Sequence, residues 1–89
     1  MRDAQQRRED VRHEVLQFLV SRPVLAFSSE AITRQVNRLG FDFLKIEVEE
    51  ALTLLAGLQL ISGKADGLGA TLYYQATSKG ILEHERRDA

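Results

Sequence analysis

Residues 60–80, LISGKADGLGATLYYQATSKG, constrain this chain more than any other stretch. Up to Gly57 the apolar residues recur at helical spacing. Here the period falls to two on either side of a loop carrying Gly63, Gly67 and Gly69, which predicts a β-hairpin. A lone two-stranded hairpin is barely stable in water, so one of its faces must be covered by the helices that precede it. With 89 residues there is room for one core and no second domain. The chain therefore reads as α+β, a single domain over residues 1–89, with the charged ends 1–9 and 84–89 expected to fray.

Four helical segments frame that hairpin. Asp10 is placed to cap a first helix carrying Val11, Val15, Phe18 and Leu19 on one face, and Pro23 stops it. Leu16 and Val20 fall on another side, as a strip that could face a partner. Val24–Phe27 suggests a brief strand. Ser28 or Ser29 then caps a second helix, with Ile32, Val36 and Leu39 inward, Arg34, Asn37 and Arg38 outward, and Gly40 as its left-handed stop. Asp42 is expected to cap a third helix over 44–57. Its inner arc is Leu44, Val48, Ala51, Leu52 and Leu55; its far side holds Ile46, Glu49, Glu50 and Thr53; Glu47, Leu54 and Leu58 line one flank. Leu60 and Ile61 open the first strand, 62–70 reads as a loop, and Thr71–Ala76 is the return strand. Thr77 caps a short last helix with Ile81 and Leu82 inward. The predicted core is Val11, Val15, Phe18, Ile32, Val36, Leu39, Val48, Leu52, Leu55, Ile61 and Leu72.

Composition excludes several classes. No apolar run approaches the length that crosses a bilayer, no apolar segment of signal-peptide kind follows the N-terminus, and cysteine is absent. A cytoplasmic location is the expectation. Neither a nucleophile with an adjacent base nor a phosphate-binding loop can be found; GKADGLG lacks Walker spacing and lies between two strands, so no enzyme and no cofactor is expected. His13 and His84 without cysteine make an incomplete ligand set, which reads as surface histidine rather than metal. Tyr73 and Tyr74 read as strand structure.

Three helices followed by a hairpin is the order of a winged helix-turn-helix domain, and the sequence resembles that superfamily in detail. SSEAITRQVNRLG is similar to its second helix, VEEALTLLAGLQLI to its third helix running into the wing. YYQATSKGILEHE resembles the Tyr-Tyr-x-x-Thr-x-x-Gly ending of the wing in bacterial regulators of the multiple-antibiotic-resistance and phenolic-acid-repressor types. The resemblance implies a DNA-binding transcriptional regulator of bacterial or phage type, with the third helix in the major groove and the wing on the backbone or minor groove.

On that reading Lys45, Glu50 and Thr53 meet base edges, and Arg34, Arg38 and Lys64 hold phosphates, with Arg8 and Arg12 available at the flanks. Charge pulls the other way: the net is −1, and Glu47, Glu49 and Glu50 outnumber Lys45 on the helix that would approach a polyanion. The alternative is a winged-helix protein-interaction module without DNA contact. It would use the acidic face of Glu47 and Glu49, or a leucine flank of Leu54 and Leu58 continued by Leu16 or Val20, to bind a second copy or another protein.

Overall fold

A computed structural model describes residues 3–69 and 71–88. Its elements run α1 (Ala4–Val20), α2 (Ser29–Asn37), α3 (Lys45–Gly57), β1 (Ile61–Ala65), β2 (Leu72–Ala76) and α4 (Ser78–Asp88). The expected α+β order is present.

The ends are more regular than their charge suggests. α1 starts at Ala4, because the Asp3 carboxylate accepts the Gln6 backbone N–H at 2.8 Å and satisfies one of the helix's open donors. Asp10, the expected cap, lies inside the helix and accepts from the Gln6 side chain. At the other end α4 continues through 84–88. Residues 1, 2 and 89 lie outside the described residues.

α2 begins as expected: Ser28 is its cap, accepting the Ala31 N–H at 3.3 Å. The helix ends at Asn37, and Gly40 takes φ +104°, a conformation that glycine adopts without penalty. That early stop places Leu39 in the turn, 69% exposed, and removes it from the core where its helical period had put it.

α1, α2 and α3 enclose Val11, Val15, Leu16, Phe18, Leu19, Ile32, Val36, Val48, Ala51, Leu52 and Leu55, with Phe43 and Ile61 closing the ends. The hairpin leans on this core through Tyr74 and Ala76. Its register pairs Ile61 with Ala76, Gly63 with Tyr74 and Lys64 with Tyr73, so Ser62–Ala65 is strand where a loop was expected. Phe27 adds one antiparallel bridge to Tyr74, through bonds of 2.9 and 2.8 Å, which is all that remains of the strand expected at Val24–Phe27. Leu72 stands at the tip end of β2, on the wall of an open groove facing α2 and α3, and is 49% exposed rather than core. Leu82 is likewise exposed on α4, while Ile81 is half-buried.

One small knot fastens the end of α3, the base of the wing and α4. The Thr77 hydroxyl donates to the Gln59 carbonyl at 2.7 Å and accepts from the Gly80 N–H at 3.1 Å, and the Thr77 N–H reaches the Leu60 carbonyl at 3.1 Å. Gly80 is buried so tightly that a Cβ there would lie 2.0 Å from the Leu60 carbonyl oxygen.

Candidate nucleic-acid interface

The third helix is set in place from its N-terminal end. Asn37 makes a two-way bond with the backbone of Phe43, donating to its carbonyl and accepting its N–H, each at 2.9 Å, so α2 fixes the turn leading into α3. Leu44, not Asp42, occupies the cap position. Its side chain has no oxygen, and the Leu44 N–H is instead accepted by Glu47 at 2.9 Å.

Arg7 of α1 then grips this corner. Its Nε and Nη2 donate to the two Glu47 oxygens at 2.6 and 2.9 Å, its guanidinium reaches the Asp42 carboxylate and carbonyl at 3.4 and 3.3 Å, and it lies over the Phe43 ring at 5.6 Å. The Arg7 hydrogen bonds, and after them the Leu44 N–H, hold the Glu47 carboxyl below its usual range; the same partner raises Arg7 further above its ordinary value.

This arrangement distributes the polar side chains of α3 among different neighbours. Glu47 is committed to Arg7 and points to the α1 side. Glu49 accepts the Ser29 hydroxyl at 3.2 Å. Lys45 donates to Glu30 in the first turn of α2 at 3.1 Å. Thr53 donates its hydroxyl proton back to the Glu49 carbonyl at 3.0 Å, leaving its oxygen as an acceptor and its methyl group outward. What remains on the outward side of α3 is a ridge spaced i, i+4, i+7: Ile46, Glu50 and Thr53, all exposed.

Cations bracket the ridge. Arg34 lines a groove with Glu30, Thr33, Asn37 and Lys45 on the α2 side. Arg8 and Arg12 line another with Glu47, Glu50 and Ala51 on the α1 side. Arg38, grouped with Arg34 by sequence, turns instead toward α1, beside Glu14, Gln17 and Phe18. Lys64 lies within β1 opposite Tyr73, below the tip of the wing, and is exposed. Between α2, α3 and the wing is a polar groove of about 490 Å³, walled by Ser29, Glu30, Lys45, Glu49, Thr71 and Tyr73.

The leucine flank lies on the other side of α3. Leu54 and Leu58 are 38% and 49% exposed and line, with Leu16, Leu55 and Leu60, a groove of about 460 Å³ between α1, α3 and α4. Leu16 is its buried floor rather than an exposed strip, and Val20 packs against the core away from it. His13 and His84 meet at its rim with ring centroids 6.1 Å apart. Among the described residues no group of three or more His, Cys, Asp or Glu side chains could hold a metal ion, and no helix is long and apolar enough to cross a membrane.

Sequence reasoning passed over Arg7, Asn37 and Ile46. Asn37 and Ile46 had been placed on the right faces, and Arg7 carried no local sign of its partner 40 residues away.

No family model and no curated protein matches the sequence. Solved structures do match. A transcriptional regulator from Clostridium thermocellum, Cth-833, superposes with a TM-score of 0.78 over 98% of this chain and 84% of its own, at 14% identity. The PcaV transcriptional regulator from Streptomyces coelicolor, solved with its natural ligand, gives 0.65 at 24% identity, covering 84% of this chain and 49% of that one. The adhesin competence repressor AdcR of Streptococcus pyogenes gives 0.65 at 15% identity, over 88% and 55%. The chain thus spans about half the length of the latter two. These likenesses establish the fold as a winged helix-turn-helix: α2 and α3 are the helix pair, and β1–β2 is the wing.

Proposed function

We propose that this chain is a DNA-binding transcriptional regulator of bacterial or phage type, presenting the α3 ridge to the major groove. The observation that carries this reading is the bracketing of an uncovered helix ridge by cations: Arg34 on one side, Arg8 and Arg12 on the other. Phosphates flank a major groove on both sides, and a reading helix needs positive charge at both edges. Glu50 and the acceptor side of the Thr53 hydroxyl supply polar groups toward base edges, and Lys45 joins them with the ammonium protons that Glu30 does not take. Arg34 and Lys64 reach the backbone, and Arg38 contributes least because it faces α1. The like charge that argued against DNA is reduced by the pairing of Glu47 with Arg7, which leaves Glu49, bonded to a neutral hydroxyl, and Glu50 as the carboxylates of α3 with no cation partner among the described residues. Structural likeness to transcriptional regulators supports the same reading.

The leucine-floored groove favours association as well. Its rim carries Glu9, Asp10 and Glu83 together with Arg12 and Arg87, a mixed charge set that a second copy related by a twofold can complement. Dimerisation there leaves the α3 ridge, Arg34 and Arg8 free, while Arg12, which lines both grooves, lies at the boundary between the two faces.

Fluorescence anisotropy with a mixed-sequence duplex tests the DNA reading. Expected is salt-sensitive binding whose slope flattens by about one for Arg34→Ala, with a smaller change for Arg38→Ala. Absence of binding at low salt to mixed or selected duplexes would overturn it in favour of an interaction module.

A further inference from the structure

Ile46 is the side chain on the ridge that the reading above leaves without a task. It is 57% exposed on the first turn of α3, one turn before Glu50 and two before Thr53. A β-branched residue brings little to helix propensity, and here it brings nothing to the core. Its neighbours toward α2 and the wing, Lys45 and Glu49, are bonded to Glu30 and Ser29, and Glu47 on the opposite flank is held by Arg7. The result is an apolar knob standing among polar groups that are individually tied back, at the helix end from which base edges are reached.

Resting on the DNA-binding reading, we propose that Ile46 is a specificity-determining residue that packs on the 5-methyl group of thymine in the major groove. The methyl is the one apolar feature a base pair offers there, and aliphatic side chains are its natural complement. Glu50, one helical turn on and without a partner among the described residues, accepts from the cytosine 4-amino group. The two side chains are separated by about 6 Å along the helix axis, so the thymine and the cytosine fall within roughly two base-pair steps of each other.

Deoxyuridine provides the test, because it removes the methyl and leaves the hydrogen-bonding edge intact. Duplexes selected by the wild-type protein from a random pool are remade with deoxyuridine at each thymine in turn and titrated by anisotropy against wild type and Ile46→Ala. Expected is a loss of about fourfold for wild type at one thymine, the size of one buried methyl-sized group. Ile46→Ala should bind the thymine and deoxyuridine duplexes alike while keeping its helical circular dichroism. A wild type indifferent to every substitution, a selected site without thymine, or an Ile46→Ala variant that still discriminates would each overturn the proposal while leaving DNA binding standing. A wild type that binds no duplex would overturn both.

Discussion

The two grooves beside α3 are close in volume and differ in how much apolar surface they carry. Toward α2 and the wing, the walls are hydroxyls, carboxylates and a lysine; toward α1 and α4, the floor is leucine and the charge is confined to the rim. One helix of 13 residues builds both, because its outward ridge separates the flank bearing Lys45 and Glu49 from the flank bearing Glu47, Leu54 and Leu58. The contrast teaches that an exposed leucine and an exposed glutamate on the same helix need not share a purpose. Each flank presents a different chemistry to whatever approaches it.

The most severe way to break this contrast is to remove what both grooves share. Leu52 is fully buried under α3, and Leu52→Ala should cost about 2–5 kcal/mol in urea denaturation, a large fraction of the stability of so small a domain. A cost inside the surface range of about 0.5 kcal/mol would mean that the helix is phased differently.

A selective break targets the leucine side. Leu54→Glu places a carboxylate on the apolar floor. In sedimentation velocity at micromolar concentration, the wild type should run as a dimer and the variant as a folded monomer. Monomer-level duplex affinity should survive. A wild type that remains monomeric would remove self-association and leave the groove to a foreign partner.

The smallest effect sharpens the boundary between the flanks, at Glu47. Because its carboxyl is held below the unfolded value, the stability it contributes is complete above the unfolded pKa, about 4.3, and is lost as pH falls through the depressed folded one. Arg7 stays charged throughout, so the slope belongs to the carboxylate. Wild-type stability should therefore fall more steeply below about pH 4.5 than that of Glu47→Gln, which has no proton to gain at that position. Equal slopes would show that the Arg7 grip contributes nothing in solution.

Much of this was legible in the residues. Helical period, Ser28, Gly40 and Thr77 announce α2, α3 and α4, and the alternation after Thr71 announces β2. The errors have physical origins. Ser62–Ala65 is small, polar and glycine-containing, so its strand character comes from pairing with β2 rather than from its own propensity. Leu39 keeps helical spacing past the point where the helix stops. Asp3 and Gln6, three apart, form an N-terminal signal that the surrounding charge concealed. The three glutamates of α3 look alike in sequence, and only contacts from α1 and α2 separate them; a partner 40 residues away leaves no local trace.

The knot at Gly80 leaves no slack between the last helix and the wing. The first turn of α4 rests on the carbonyl of the residue immediately before β1, and Thr77 holds the same point from the other strand. A load applied to α4 bears directly on the root of both strands, as on a lever whose fulcrum is a single peptide group. Of the glycines at 40, 57, 63, 67, 69 and 80, the last is the one whose added methyl group would meet backbone, so a substitution there must move the lever off its support.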